Sequence, residues 1–259
     1  MADADPVVAQ AALDRATEEK NLLLVYQPIH EARTRKVFAA EALLRQRRQS
    51  GEIREASAIT EAAEDGPELF ALDSWALRTA YSDAAHWQMH GAPDVRINVN
   101  LSPREFQERD VYTRLQKLVA GFGIDPHKIN LEITEISQIE KPEETVEVLD
   151  ELKKLGIQLW LDDFGTGHSS ITHLQRFPVD GLKISGEFVK GIAHDKRSRE
   201  ITRALVGLAH SIGIKVVAEG IEKQDQLDLL LSWDCDYIQG FLFSKPMPCD
   251  EFEHLIGVS

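Results

Sequence analysis

The chain has 259 residues, of which 43% are hydrophobic and 28% are charged, proportions typical of a globular protein with a sizeable core. Its 29 basic and 43 acidic residues leave a formal net charge of -14. This charge argues against binding along a nucleic-acid polymer, because phosphate contacts dominate that affinity. The sequence has no basic, apolar leader and no run near the roughly 18 apolar residues of a membrane span. We therefore expect a cytoplasmic protein without a membrane segment.

In chain order, the sequence begins with a predicted helix and continues with alternating strands and helices. Residues 7–20 mix apolar and charged positions and predict the first helix. Further helices are predicted after Pro103 and over residues 143–155 and 200–212, the last two ending at Gly156 and Gly213. Short apolar or β-branched runs predict eight strands, over residues 22–29, 37–44, 96–101, 129–133, 157–161, 181–184, 215–218 and 237–239.

Eight strands with intervening helices predict an α/β fold, a closed (β/α)8 barrel of the TIM type. We expect one domain over residues 1–259, with 1–20 as an N-terminal helical arm and the barrel over 22–248. Only residues 31–37 separate the first two strands, which is too short for the crossover between parallel strands. That pair is therefore predicted to be antiparallel.

Most of the predicted strands carry a polar residue at or near the carboxyl end. In a barrel these ends converge on one face, where active sites are built. Any one of these residues has a structural explanation, such as Asn100 capping the next helix, but seven strands with this feature predict a site. The residues are Glu41, Asn100, Glu132, Asp162 with Asp163, Lys183, Glu219 and Gln239.

Five carboxylates and one carboxamide form a ligand set made of oxygen alone, which suits Mg²⁺ or Mn²⁺ better than zinc or copper. The neighbouring Asp162 and Asp163 reach one site only if the chain turns, and residues 164–167, with two glycines, are predicted to supply the turn. One aspartate would then bridge two ions that act on a phosphodiester. Lys183 has two equally supported interpretations: it orients or deprotonates the attacking water, or it forms a structural salt bridge to Glu219 or Asp163.

An ordered set of motifs covering residues 22–248 resembles the EAL domain family. The tripeptide of that name is Glu41-Ala42-Leu43. The motifs are YQPI (26–29), EALLR (41–45), NLSP (100–103), LEITE (131–135), DDFGTG (162–167), LKI (182–184), AEGIE (218–222) and QGFLFSKPMP (239–248).

The resemblance implies a modified barrel with one antiparallel strand. It also implies hydrolysis of cyclic di-GMP to linear pGpG with two Mg²⁺ or Mn²⁺ ions, inhibition by Ca²⁺, and a homodimer. By position, the resemblance implies that the first metal is bound by Glu41, Asn100, Glu132 and Asp162, and the second by Asp162, Asp163 and Glu219. It implies that Lys183 holds the attacking water, that Gln239 supports the site and that Glu135 anchors the DDFGTG loop. The implied substrate-binding residues are Gln27, Leu43 and Arg45.

One departure from the family pattern bears on activity. Members usually have an aspartate after Lys-Ile, where this chain has Ser185, and the loss of that carboxylate is expected to reduce turnover or change how Lys183 is held. Three hypotheses follow: an active phosphodiesterase, a catalytically weak or inactive receptor for cyclic di-GMP, and a protein-interaction module. The complete ligand set favours the first over the second, and the retained Gln27 and Arg45 argue against the third.

Overall fold

The computed structural model describes residues 22–48, 50–56, 67–102, 106, 110–133, 142–165 and 171–258. The predicted helix over residues 7–20, the predicted helix after Pro103 and the loop residue Glu135 lie outside these ranges.

Strands and helices alternate along the described part of the chain. The strands are β1 (Leu22–Glu31), β2 (Val37–Arg47), β3 (Ile53–Glu55), β4 (Arg96–Leu101), β5 (Ile129–Ile133), β6 (Gln158–Phe164), β7 (Gly181–Ile184), β8 (Lys215–Ala218) and β9 (Tyr237–Ile238). The helices are α1 (Pro67–Met89), α2 (Val111–Phe122), α3 (Pro142–Leu155), α4 (Ile171–Arg176), α5 (Gly186–Gly191), α6 (Lys196–Ser211), α7 (Gln224–Ser232) and α8 (Cys249–Ile256), with a short 3-10 turn at Pro126–Lys128.

Eight of these strands close into a barrel, which confirms the predicted fold. The hydrogen-bonded order is β1-β9-β8-β7-β6-β5-β4-β2, and β1 pairs with β2 to complete the ring. The β1–β2 pair is antiparallel, as the short connection predicted, and β1 is also antiparallel to β9. The pairs from β2–β4 round to β8–β9 are parallel. Strand β3 was not predicted; it extends β2 beyond the ring as an antiparallel hairpin.

Most of the apolar core lies between the strands and the surrounding helices, and a smaller apolar group fills the inside of the barrel. This group, the floor layer, consists of Ile29, Ala39, Trp160 and Val217. Because side chains on one face of a strand recur every second residue, these positions share a face with Gln27, Glu41, Asp162 and Glu219. The floor layer therefore closes the barrel directly below the polar residues of the site.

The bulk of Trp160 explains a glycine on the neighbouring strand. A Cβ at Gly181 would lie 2.4 Å from the Trp160 ring, far inside van der Waals contact. Gly181 precedes Lys183 by two residues, so it is the position below Lys183 on the inner face of β7. A side chain at this position would displace the floor layer that lies below the site.

Within the described residues, no helix is long and apolar enough to cross a membrane.

Candidate metal centre

Five carboxylates meet at the carboxyl end of the barrel, and we call them the carboxylate cluster: Glu41 on β2, Glu132 on β5, Asp162 and Asp163 on β6, and Glu219 directly after β8. They form two overlapping groups. Oxygens of Glu41, Glu132 and Asp162 lie within 4.8 Å of one another, as do oxygens of Asp162, Asp163 and Glu219. Because Asp162 belongs to both groups, the cluster has the shape of two adjacent cation sites with one shared ligand.

The two adjacent aspartates reach the same region because the backbone turns at the second of them. Asp163 has a φ of 47°, in the left-handed region, and the pairing of β6 with β7 shifts register between Leu161 and Phe164. Gly165 continues the turn with a φ of 103°. Of the predicted turn segment, residues 164–167, only Phe164 and Gly165 are among the described residues; the turn also includes Asp163, because aspartate tolerates the left-handed region.

Lys183 lies at the centre of the cluster, with only 1% of its side chain exposed. Its Nζ is 2.8 Å from Glu219 Oε1, 3.0 Å from Glu132 Oε2, 3.1 Å from Asp162 Oδ1 and 3.2 Å from Glu41 Oε1. The ion pair with Glu219 that we considered is thus one of four. A single lysine leaves the five carboxylates with an excess of four negative charges when all are ionised, and two divalent cations would balance that excess.

Burial makes the ionised forms of these groups unfavourable and shifts their pKa values. Burial raises the pKa of Glu132 well above its usual range despite the opposing charge of Lys183, and it also raises the pKa of Asp162. Burial raises the pKa of Glu219 to about 8. For Lys183, burial alone would lower the pKa, but Asp162, Glu132, Glu219 and Glu41 raise it well above its usual range. Without bound metal, these carboxylates therefore favour the protonated form of Lys183, which donates to Glu41 and Glu132.

Amide groups fix the two deepest carboxylates of the cluster. Gln239 Nε2 donates to Glu41 Oε2 at 2.6 Å and to Gln27 Oε1 at 3.2 Å. Burial alone would raise the pKa of Glu41, but Lys183 and the bond from Gln239 lower it below its usual value. On Glu132, Asn98 Nδ2 donates to Oε1 at 2.6 Å. We predicted a role for Gln239 but not for Asn98.

Asn100 is on β4, directly beside Glu132 in the strand register. Its Oδ1 is buried and has no hydrogen-bond partner among the described residues. A buried amide oxygen without a partner is unfavourable, and a cation is one group that satisfies it. This oxygen and the carboxylate oxygens make a donor set that fits hard divalent cations such as Mg²⁺ or Mn²⁺.

The cluster opens into a pocket of about 380 Å³, lined on one side by Gln27 and Leu43 and on another by Gly240 and Phe241. Phe241 was not predicted from the sequence; the residue is 56% exposed, and Lys245 Nζ lies 5.6 Å from the centroid of its ring. Arg45 follows Leu43 by two residues on the same face of β2. Arg45 Nη1 donates to the Leu44 carbonyl at 2.9 Å, and its Nη2 is 3.8 Å from a Glu55 oxygen.

Ser185, the departure from the family pattern, is buried directly after β7, in the N-cap position of α5, and its side chain makes no capping hydrogen bond. Its carbonyl accepts from Phe188 N at 3.0 Å. It follows Lys183 by two residues on the same side of the strand, so a longer acidic side chain at this position would extend towards the cluster.

Comparison with known proteins places this chain among proteins of similar sequence and the same fold. The family model of the EAL domain matches residues 10–246. The cyclic di-GMP phosphodiesterase PdeR of Escherichia coli K12 is 34% identical over 242 residues, and NbdA of Pseudomonas aeruginosa, also named a cyclic di-GMP phosphodiesterase, is 32% identical over 244 residues. These matches cover 93% and 94% of this chain but only 36% and 31% of the relatives, so the chain spans about a third of their length.

Among solved structures, the PaMucR phosphodiesterase in complex with c-di-GMP superposes with a TM-score of 0.86 at 30% identity. The superposition covers 95% of this chain and 99% of that one. With a family match over nearly the whole chain and the same barrel, this chain belongs to the EAL domain family.

Proposed function

We propose that this chain is a metal-dependent phosphodiesterase that hydrolyses cyclic di-GMP to linear pGpG. The observation that carries the proposal is the carboxylate cluster, whose two overlapping groups share Asp162 and open into one pocket. An oxygen-only site with a shared carboxylate is the arrangement expected for two divalent cations acting on one phosphate. The relatives named cyclic di-GMP phosphodiesterases support the choice of substrate.

In this proposal, Glu41, Asn100, Glu132 and Asp162 bind the first Mg²⁺ or Mn²⁺, and Asp162, Asp163 and Glu219 bind the second. Such a pair of ions activates water and stabilises charge on the attacking and leaving oxygens. The charge balance of the cluster and the unpartnered Asn100 Oδ1 support this assignment. We also expect Ca²⁺ to inhibit, because it prefers more ligands and longer distances than Mg²⁺.

The remaining side chains have positioning roles. Lys183, whose Nζ lies among four of the carboxylates, holds the attacking water. Gln239 keeps Glu41 in place through its 2.6 Å hydrogen bond. Glu135 remains a predicted anchor of the loop after β6.

Substrate contacts come from the side of the pocket formed by β1 and β2. Gln27 and Leu43 line it, and we propose that they contact a guanine. Arg45, two residues further along β2, binds a phosphate, since its planar guanidinium gives bidentate hydrogen bonds. The exposed Phe241 ring supplies a face on which a purine can stack.

A receptor that binds cyclic di-GMP without cleaving it is the second candidate, favoured by one observation, Ser185 at the usual aspartate position. Chromatography after incubation of the protein with cyclic di-GMP and Mn²⁺ distinguishes the two. Formation of pGpG that stops with EDTA and in Glu41→Ala supports the enzyme. Tight binding in calorimetry without any pGpG, in Mg²⁺ and in Mn²⁺, contradicts it and favours the receptor. Absence of binding leaves the protein-interaction module.

We further propose that the chain forms one cytoplasmic barrel domain that assembles as a homodimer. The dimer follows from the family resemblance. Light scattering coupled to size exclusion tests it: a mass near twice the 29.1 kDa of the chain is expected, and a mass of one chain at micromolar concentration contradicts it.

A further inference from the structure

Two asparagines occupy the level of the floor layer inside an otherwise apolar part of the barrel. Asn98 and Asn130 are 1% and 0% exposed and lie beside each other in the β4–β5 register. Each precedes a residue of the site by two positions, Asn100 and Glu132, and so shares its inner face. Burying an amide among apolar side chains is unfavourable unless it is hydrogen-bonded. Among the described residues, Asn130 Oδ1 has no hydrogen-bond partner, so the bonds that indicate the role of the pair are those of the two amino groups and of Asn98 Oδ1.

The hydrogen bonds form a chain that points towards the carboxylate cluster. Asn130 Nδ2 donates to Asn98 Oδ1 at 2.7 Å, and Asn98 Nδ2 donates to Glu132 Oε1 at 2.6 Å. As a metal ligand, Glu132 would be ionised, and an ionised carboxylate only accepts hydrogen bonds; Asn98 then turns its amino group to Glu132 and its oxygen to Asn130. Asn130 must then donate as well. The charge on Glu132 thus sets the orientation of both amides.

The result is a glutamate held at both oxygens. Oε1 of Glu132 accepts from Asn98, and Oε2 is 3.0 Å from Lys183 Nζ. Glu41 is held in the same way, with Gln239 on one oxygen at 2.6 Å and Lys183 on the other at 3.2 Å. Asn98 therefore holds Glu132 by the same kind of amide hydrogen bond by which Gln239 holds Glu41.

We propose that Asn98, oriented in turn by Asn130, is a positioning residue that fixes Glu132 as a metal ligand and sets the affinity of the first cation site. Hydrogen bonds to a ligand from the layer behind it restrict its rotamers, and their loss typically lowers metal affinity about 10–100-fold. The inference rests on the proposed function only in assigning Glu132 to a metal, and it does not require turnover.

Calorimetric titration with Mn²⁺ tests the proposal directly. Asn98→Leu keeps the approximate volume and removes the amide. We expect it to weaken Mn²⁺ binding at the first cation site about tenfold or more. Asn130→Leu leaves the bond from Asn98 in place and is expected to weaken binding by about threefold, less than the direct loss. Thr202→Val is the matched control: the Thr202 hydroxyl is buried and donates to the Ser198 carbonyl in α6, away from the cluster, so affinity stays unchanged.

A double-mutant cycle separates positioning from a general structural role. If Asn98 acts through Glu132, adding Asn98→Leu to Glu132→Gln weakens Mn²⁺ binding no further than Glu132→Gln alone. Equal affinity of the wild type and Asn98→Leu, or fully additive losses in the cycle, overturns the proposal. Should Asn98→Leu lack the circular dichroism of the wild type, Asn98→Ser, which is smaller and too short to reach Glu132, replaces it under the same criteria.

The test of the proposed enzymatic function is separate from the test of the positioning role of Asn98. A wild type that binds Mn²⁺ but leaves cyclic di-GMP uncleaved contradicts the proposed function, while a weakened Asn98→Leu still supports the positioning role. Cleavage by the wild type together with unchanged affinity in Asn98→Leu supports the function and overturns the positioning role. A wild type without measurable Mn²⁺ affinity overturns both.

Discussion

At the scale of single residues, Glu41 combines two functions that a substitution can separate. One oxygen contacts Lys183 and the other accepts from Gln239, so the residue is both a proposed ligand and part of the buried network. Glu41→Gln keeps the shape and removes the charge. We predict a loss of cyclic di-GMP hydrolysis of at least about 100-fold, measured as pGpG formed at saturating Mn²⁺.

The control for this variant is Glu251→Gln, because Glu251 is exposed on α8 and contributes no side chain to the cluster. Its activity should equal that of the wild type. Retention of more than about half the activity in Glu41→Gln would show that Glu41 is not a ligand the reaction needs.

Ser185 gives a prediction in the opposite direction. Ser185→Asp restores the carboxylate that the family resemblance implies, on the same side of β7 as Lys183. We expect kcat for cyclic di-GMP to rise about threefold or more, because an added acceptor restricts the position of the Lys183 ammonium group.

Ser185→Asn is the matched control for this substitution, since it has the same shape without the charge and should leave kcat within about twofold of the wild type. A fall in kcat in Ser185→Asp, with the fold intact by circular dichroism, would mean that this chain is adapted to serine.

At the scale of elements, the floor layer determines how far along the barrel axis the residues of the site lie. Gly181→Ala places a Cβ where the structure leaves 2.4 Å to the Trp160 ring, so either the ring or β7 must move. We predict a decrease of about 1–3 kcal/mol in the free energy of unfolding, measured by urea denaturation. The strain is local to the strand that carries Lys183, so Mn²⁺ affinity should fall as well.

Gly207→Ala is the control, because a Cβ at Gly207 on α6 meets nothing within 4 Å, and helix propensity favours alanine. That variant should be as stable as the wild type or more so. Equal stability of Gly181→Ala and the wild type would show that the Trp160 ring does not constrain β7.

The strands were the most predictable elements. Runs rich in valine, isoleucine and leucine define the bounds of β4, β5, β7 and β8, and both ends of each run match the structure. Strands β1 and β2 extend further than predicted, because β1 also pairs with β9 at Glu31 and β2 also pairs with β3 up to Arg47. The three residues of β3 are all exposed and lack alternation, so no pattern marks them.

The site was predictable in membership but not in its connections. Strand ends converge in any barrel, so Glu41, Glu132 and Glu219 follow from the pattern alone. Asn98 and Asn130 carried a signal, since each lies two residues before a residue of the site, but a sequence does not show which amide donates to which oxygen. The catalytic roles predicted for Lys183, Glu219, Gln239 and Glu135 stay predictions.

At the scale of the whole molecule, the buried cluster links stability to pH when no metal is bound. The pKa values of Glu132, Asp162 and Glu219 are raised in the folded state, that of Glu219 to about 8, so the folded protein binds protons more tightly than the unfolded chain does. A raised pKa contributes stability below the unfolded value and loses it as pH rises through the folded value. The raised pKa of Lys183 has the same sign at higher pH.

We therefore predict that the metal-free protein loses roughly 2–5 kcal/mol of unfolding free energy between about pH 5 and about pH 8. Urea denaturation in EDTA at several pH values measures this loss. Glu219→Gln removes one titrating group and should reduce the fall near pH 8. Excess Mn²⁺ should restore stability most at high pH, because the cation competes with protons for the same oxygens. A stability that rises with pH in EDTA would contradict the account.

The central claim is that the carboxylate cluster holds two divalent cations that share Asp162. The most direct test is the number of Mn²⁺ ions bound per chain, measured by equilibrium dialysis at pH 7.5 with the wild type and Asp162→Asn. We predict two ions per wild-type chain and, because both sites lose their common ligand, fewer than one per chain in the variant at the same free Mn²⁺. A wild type that binds no Mn²⁺, or an Asp162→Asn protein that still binds two ions, would contradict the claim.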